Sequence, residues 1–192
     1  MARPREFEEE RAIEAAMRAF WSAGYEGTST QDLCEATGLG RSSIYNTFKS
    51  KHDLFDKALR HYMDSKTAWL MELLEGDLPV REKVRTLLWQ AVDVETGDPV
   101  GCLVVNSLVE LAPRDPEVAE QLRRDGERRL AALRAAFELG QSRGELQAGK
   151  DPVALAHFVV AAISGMRVMA RGGSDRGALE SVAKTTLDAL LL

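Results

Sequence analysis

The amino-acid sequence predicts an all-α protein, and three observations support this. Alanine, leucine, glutamate and arginine abound while aromatic residues make up only 6% of the 192 residues, a composition that favours helices over strands. Apolar residues recur at helical spacing, as Ile13, Met17 and Phe20 do in the first predicted helix. No alternation of apolar and polar residues is long enough to build a sheet. The expected fold is therefore a bundle of about nine helices.

Capping and turn residues predict where each helix begins and ends. The first helix covers residues 7–23. Ser29 and Asp32 have the spacing of a capping box for a short second helix. Another short helix follows at residues 41–48, and a long fourth helix begins after Ser50. Five more helices are expected to open near Pro79, Val100, Pro116, Asp151 and Asp175.

Composition and charge exclude several classes of protein. The net charge of -5 gives no global sign of nucleic-acid binding, so that function requires a local basic surface. Cys34 and Cys102 are too few for a metal cluster and are expected to be free thiols. The first residues turn acidic where a signal peptide would be apolar, and the apolar tract at 153–166 is too short to span a bilayer. We therefore expect a cytoplasmic protein with no membrane partner, metal or cofactor.

The helix predicted at residues 41–48 has two distinct faces. Ile44 and Phe48 fall on one side, where they can pack inward, while small polar side chains face away. A helix-turn-helix presents its second helix to the major groove in this way. Asn46 can pair with an adenine edge, and Arg41 can reach a guanine or a phosphate. The other outward or flanking residues are Ser42, Ser43, Tyr45 and Thr47.

The charge around this helix also favours DNA. Positions 36–52 carry no acidic residue but contain the cations Arg41, Lys49 and Lys51. A phosphate bound by Lys51 would meet the positive end of the helix that begins there. Arg3 and Arg5 could reach a minor groove as an extended arm. The alternative is that this region is a solvated corner of a helical bundle.

A family resemblance favours the DNA interpretation. The segments at 24–29, 38–48 and 50–54 strongly resemble the N-terminal domain of the TetR family of repressors, and the likeness covers about residues 7–60. The resemblance implies a helix-turn-helix domain at 1–54 and a helical effector-binding and dimerisation domain at 55–192. Gly40 departs from the Ser or Thr that the family more often has there. By position, the resemblance implies DNA-backbone contacts at Thr28, Thr30, Tyr45, Thr47 and Lys51, and base contacts at Arg41, Ser42 and Asn46.

The last two predicted helices are apolar over more than one face, which suggests that they cover more than one surface. Two such helices from each subunit can form a four-helix interface, and a helix-turn-helix protein needs a dimer to match a palindromic operator. The alternative is that both helices only close the core of the monomer. The predicted interface residues are Leu155, Val159, Ala162, Met166, Leu179, Val182 and Leu187.

A cavity between helices is the expected site for a small effector, although apolar residues at helical spacing more often belong to a core. Cys102 follows Gly101 at a predicted helix start, where the reactive thiolate is favoured. We therefore predict that it senses electrophiles or oxidants; the alternative is a small buried hydrophobic residue. The predicted cavity residues are Met63, Trp69, Trp89, Cys102, Phe137, His157 and Phe158.

Together these patterns predict a homodimeric repressor that binds a palindromic double-stranded DNA operator and releases it when a small effector binds. An enzyme is not expected, because the sequence contains no Ser/His/Asp grouping, phosphate loop or metal-ligand cluster. A helical protein–protein adaptor without DNA binding is the alternative. That alternative does not explain why residues 36–52 contain no acidic residue.

Overall fold

The computed structural model describes the backbone of residues 3–93 and 98–191 and the side chains of residues 9–93 and 98–190. Within these ranges the chain forms nine α-helices and no β-strand, so the predicted all-α fold is confirmed. The helices are α1 (Arg3–Ala23), α2 (Thr30–Thr37), α3 (Arg41–Thr47), α4 (Lys51–Glu75), α5 (Val80–Val92), α6 (Leu103–Glu110), α7 (Pro116–Ser142), α8 (Pro152–Arg171) and α9 (Arg176–Leu191).

Capping side chains set the starts of α2 and α4, as predicted. The Ser29 hydroxyl accepts a hydrogen bond from the Asp32 N–H at 3.2 Å, and the Asp32 carboxylate accepts one from the Ser29 N–H at 2.7 Å. Helix α2 therefore begins with a capping box. Gly38 ends α2 in the left-handed conformation, with φ of 70°. The Ser50 hydroxyl caps α4 by accepting from the Asp53 N–H at 3.0 Å.

Two helix starts differ from the sequence prediction. Helix α1 begins at Arg3 rather than at residue 7, so the backbone at Arg3 and Arg5 is helical and not an extended arm. The side chains of both arginines lie outside the described residues. Helix α6 begins at Leu103 rather than at residue 100, because Gly101 adopts a φ of 102° and interrupts the helix there.

The chain divides into two compact units. The first contains the residues up to Ser65 and Cys102–Leu122; the second contains Lys66–Gly101 and Arg123–Leu192. The first unit is larger than the domain of residues 1–54 that the resemblance implies. Apolar residues of α4 and α6 account for the difference, because they are buried in one core with those of α1 to α3: Phe20, Phe48, Phe55, Leu59 and Leu103.

The second unit has a core of its own, built mainly from α5, α8 and α9. Leu88 of α5, Val159 and Met166 of α8 and Ala183 of α9 are fully buried in it. Lys83 is also buried, and its Nζ donates a hydrogen bond to the Leu74 carbonyl oxygen at 2.6 Å. That bond satisfies one of the carbonyl groups that a helix leaves unpaired at its end.

Helix α8 is unusually apolar for a helix whose surface is largely open. It has 20 residues and a mean hydropathy of 1.8 over its most apolar stretch, of which 22% is buried. By length and composition alone it could cross a membrane, so the sequence argument from its length does not hold. Length and composition are weak evidence for such a span, because core helices of soluble proteins share them. The open apolar surface of α8 needs an explanation.

Candidate nucleic-acid interface

Helix α3 presents one buried face and one open face. Ile44 is 1% exposed and Phe48 is 0% exposed, and both pack in the core of the first unit with Leu33 and Phe20. The inward orientation predicted from the sequence is therefore confirmed. The opposite face is open to solvent at Arg41, Ser42, Ser43, Tyr45 and Asn46. Short polar side chains on an open helix face fit the dimensions of a DNA major groove.

The residues predicted to contact the DNA backbone lie at the edges of this open face. The Tyr45 hydroxyl is within hydrogen-bond distance of the Thr30 hydroxyl, at 3.3 Å, which links the ends of α2 and α3. Thr47 is half-buried and Lys49 is exposed. Lys51 is half-buried, and its Nζ lies 4.4 Å from the centre of the Tyr25 ring. Hydroxyl groups and cations thus lie near the last turn of α3 and in the residues that follow it.

Thr28 does not lie on this surface, and its predicted role as a backbone contact needs correction. Its side chain is 1% exposed, and its hydroxyl donates a 2.6 Å hydrogen bond to the Gly24 carbonyl oxygen. A buried hydroxyl whose proton is already donated has no means of reaching a phosphate. Thr28 instead stabilises the turn between α1 and α2.

The N-terminal end of α3 lacks a side-chain cap, as the glycine at this position led us to expect. Gly40 is the N-cap residue and accepts backbone hydrogen bonds from Ser43 and Ile44 through its carbonyl. No side chain satisfies the first N–H groups of the helix. The substitution of glycine for serine or threonine therefore leaves the helix intact and removes only the capping hydroxyl.

His52, which the sequence reasoning did not single out, forms a hydrogen-bonded bridge next to Lys51. Its Nε2 lies 2.6 Å from an Asp115 carboxylate oxygen, and its Nδ1 lies 3.4 Å from Asp56. The hydrogen bond with Asp115 raises the pKa of His52 and lowers the pKa of Asp115. Burial raises the pKa of Asp56. This bridge connects the start of α4 to the start of α7.

Glu110 and Tyr25 are further residues that the sequence analysis did not assign to the site. The Glu110 carboxylate accepts hydrogen bonds from the backbone N–H groups of Tyr25 and Glu26, at 3.0 and 2.8 Å. Tyr25 belongs to the motif that carries the family resemblance, so a signal for it was present. Glu110 lies about 85 residues away in sequence, and no local pattern connects it to this turn.

Five of the seven residues predicted for a dimer interface are buried in the core of their own unit, so that prediction was wrong for them. They are no more than 9% exposed and pack among α5, α8 and α9: Leu155, Val159, Met166, Leu179 and Leu187. Ala162 and Val182 are half-buried. They line a shallow groove of about 350 Å³ between α8 and α9, together with Phe158.

The seven residues predicted to line an effector cavity are divided between the two units. Met63 belongs to the first core, and Phe137 to the second, with Trp69 and Trp89 packed against it. His157 and Phe158 are exposed, and they line separate open grooves, one beside α7 and one beside α9. That these two residues contact an effector stays a prediction.

Cys102 is the N-cap residue of α6, as predicted from its place after Gly101. It is half-buried, and no side-chain hydrogen bond caps the helix at this end. The Tyr62 hydroxyl donates a hydrogen bond to Cys102 Sγ at 3.6 Å. Cys34 is half-buried and packs against the core of the first unit, as a small apolar side chain does.

Comparisons with known proteins agree with this architecture over the whole chain. Residues 12–58 match the model of bacterial regulatory proteins of the tetR family, and residues 80–186 match that of the tetracyclin repressor-like C-terminal domain. The chain is 31% identical to the uncharacterized HTH-type transcriptional regulator YezE of Bacillus subtilis (strain 168), over 99% of this chain and 100% of that protein. It is also 31% identical to the HTH-type transcriptional repressor ComR of Escherichia coli (strain K12), over 96% and 90% of the two chains.

A solved structure shows the same fold on DNA. The chain resembles a cysteine mutant of the TetR family transcriptional regulator CifR complexed with 26bp double-strand operator DNA. The identity is 31% and the TM-score is 0.84, over 94% of this chain and 95% of that chain. A TetR regulator from Chloroflexus aurantiacus has a TM-score of 0.87 at 25% identity, over 97% and 95% of the chains.

Proposed function

This chain belongs to the TetR family of bacterial transcriptional regulators, and from that premise we propose that it is a repressor that releases its operator when a small effector binds. One observation carries the proposal: α3 buries Ile44 and Phe48 while its polar face stays open. A helix held in this way can enter a major groove without disturbing the core beneath it. A role as a protein–protein adaptor does not explain the open polar face of α3.

We assign different tasks to the residues on and around α3. Asn46 and Arg41 are placed to read base edges, since both are exposed on its open face. Ser42 and Ser43 are short enough to let the helix approach the bases. The candidate phosphate contacts at the flanks are Thr30, Tyr45, Thr47, Lys49 and Lys51, and Thr28 is not among them.

We propose that the repressor is a homodimer joined through the α8 outer face, which we define as Ala154, Phe158, Ala161, Gly165 and Val168. All five are exposed, Phe158 by 46% and Val168 by 55%. A second copy of the chain covering this face would remove its apolar surface from water. A dimer thereby accounts for the apolar character of α8 without a membrane, and it matches the two-fold symmetry of a palindromic operator.

The effector and the cellular location are further parts of the proposal. A small molecule relieves repression only if it binds one of two conformations more tightly than the other. Of the residues predicted to contact the effector, we keep Met63 and Cys102 in the first unit and Trp69, Trp89, Phe137 and His157 in the second. We assign Phe158 to the dimer face. We propose a cytoplasmic regulator without catalytic activity, as the transcriptional role of its relatives supports.

The division between base contacts and phosphate contacts is tested by mobility shift on the DNA upstream of the gene. We expect Lys51→Ala to weaken binding to all sequences alike and to reduce the slope of log affinity against log salt by about 1, because one phosphate contact is lost. We expect Asn46→Ala instead to lose discrimination at one base pair, by about 1–3 kcal/mol. If the two variants behave alike, the assignment of these residues is wrong.

A second activity, thiol sensing, is favoured by the position of Cys102. The residue opens α6 where backbone N–H groups lack a side-chain partner, and the Tyr62 hydroxyl donates to its sulfur. The sulfur therefore lies at a helix start, within reach of a hydroxyl donor. We propose that modification of this sulfur shifts the start of α6 and lowers the affinity for the operator.

Electrophile treatment of the DNA complex tests this sensing role. We expect N-ethylmaleimide to release the wild-type protein from DNA and to leave Cys102→Ser bound. Cys34→Ser is the matched control, because Cys34 is the other half-buried free cysteine of the chain. Release that persists in Cys102→Ser would refute the sensing role.

A further inference from the structure

The Glu110 side chain binds backbone N–H groups of the turn between α1 and α2. Its two carboxylate oxygens accept hydrogen bonds from consecutive N–H groups, those of Tyr25 and Glu26, at 3.0 and 2.8 Å. A charged acceptor makes such bonds roughly twice as strong as neutral ones. The neighbouring Asn106 of the same helix donates from Nδ2 to the Trp21 carbonyl oxygen at 3.4 Å. Helix α6 therefore contacts the end of α1 and the turn that follows it.

Gly24 gives the turn a backbone conformation that leaves room for the Glu110 carboxylate. Gly24 has a φ of 82°, which directs the next two N–H groups toward a common point. A Cβ atom at residue 24 would lie 2.8 Å from Glu110 Oε2, closer than such contacts occur. The glycine thus supplies both the backbone conformation and the space that the acceptor needs. The conformation of Gly24 and the two hydrogen bonds accepted by Glu110 both belong to this contact, which distinguishes it from a single surface hydrogen bond.

The backbone that Glu110 holds carries the Tyr25 side chain. The Tyr25 ring packs edge-on against Phe55 with 5.0 Å between ring centres, and it is stacked on Phe20 at 6.0 Å. Its outer face supports the Lys51 ammonium, 4.4 Å from the ring centre. A cation over an aromatic face is attracted to it and restricted in its movement. A continuous chain of contacts therefore leads from Glu110 through Tyr25 to Lys51.

We propose that Glu110 is a positioning residue for DNA binding: it fixes the backbone at Tyr25 and so places the Lys51 ammonium for its phosphate contact. The inference rests on the proposed function, in which Lys51 binds the DNA backbone. Glu110 itself does not touch DNA in this arrangement. It acts on affinity only through the residue it orders.

A double-mutant cycle with Glu110→Gln and Lys51→Ala tests this dependence. Glutamine keeps one acceptor oxygen but replaces the other with an NH₂ group, which cannot accept the second N–H. We expect Glu110→Gln alone to weaken operator binding about tenfold, because coupled neighbours typically interact at this level. In the Lys51→Ala background, the same change should cost less than about twofold, since the cation it positions is absent.

Asn46→Ala provides the matched control, because Asn46 also belongs to the proposed interface but lies outside the Glu110–Tyr25–Lys51 chain. Glu110→Gln should keep its full cost in that background. A purely structural role would make both cycles additive and would refute the inference. If Lys51→Ala leaves the salt slope unchanged, the proposed role of Lys51 fails, and this inference fails with it.

Two measurements distinguish loss of the Glu110 contact from unfolding of the Glu110→Gln variant. Thermal unfolding of Glu110→Gln should be cooperative, as in the wild type. If it is not, Glu110→Asp replaces it in the same cycle, because aspartate keeps the charge but is one methylene shorter. Faster hydrogen exchange at the Tyr25 and Glu26 amides of the folded variant would support the lost contact; unchanged exchange at both would refute it.

Discussion

Ile44→Asp is expected to unfold the first unit and to abolish DNA binding together. Ile44 is 1% exposed and lies in the core with Leu33 and Phe48. A carboxylate at this place would be buried among apolar side chains, and an unpaired buried charge costs roughly 3–5 kcal/mol or more. That penalty is a large part of the total stability of a typical protein. Urea denaturation followed by tryptophan fluorescence measures the loss. Trp69→Phe and Trp89→Phe in the background leave Trp21, which is buried in the same core, as the reporter.

Ser43→Asp is the matched control for this prediction. Ser43 precedes Ile44 on α3 but is exposed, so the same charge is added to the same helix without burial. We expect stability within about 0.5 kcal/mol of the wild type. We also expect weakened DNA binding, because the new carboxylate adds negative charge to the face that meets the polyanionic DNA. An Ile44→Asp protein as stable as Ser43→Asp would contradict the inward packing of α3.

Local signals in the sequence were sufficient to predict the helices and the faces of α3. The capping box of Ser29 and Asp32 depends on residues three apart, and the burial of Ile44 and Phe48 follows from helical spacing alone. These features involve only neighbours in the chain. The family motif added the DNA-binding role, which the spacing of apolar residues does not specify.

Contacts between distant segments account for what the sequence did not predict. Thr28 lies in the motif, but its hydroxyl is donated to the Gly24 carbonyl oxygen, and only coordinates reveal this. Glu110 reaches Tyr25 across 85 positions. Such pairings are set by tertiary packing, for which a single sequence carries no periodic signal.

The dimer interface was not predicted correctly because α8 and α9 have apolar residues on more than one face. The sequence identified α8 and α9 as apolar over more than one face, but it did not tell the core side from the outer side. Val159 and Phe158 are adjacent and both apolar, yet Val159 is fully buried and Phe158 is 46% exposed. The spacing of apolar residues identifies the buried face of a helix only when the opposite face is polar. On α8 that contrast is missing.

Phe158→Glu is therefore expected to separate the dimer while leaving each protomer folded. The side chain lies on the α8 outer face and lines the groove beside Val182, so a carboxylate there would be buried against the second copy. Because Phe158 is exposed within one chain, the monomer itself has room for glutamate. Sedimentation should show half the wild-type mass, and operator affinity should fall at least about 100-fold because one helix-turn-helix retains only half of the site.

Val109→Glu distinguishes loss of the interface from a general effect of a surface charge. Val109 is an apolar residue of α6 that is 76% exposed and lies in the other unit, so the same chemical change should leave the dimer and the operator affinity unaltered. A Phe158→Glu protein that stays dimeric would refute the α8 outer face as the interface. In that case the open apolar surface of α8 would need another cover, and vesicle binding by the wild-type protein would then distinguish a membrane from a different protein partner.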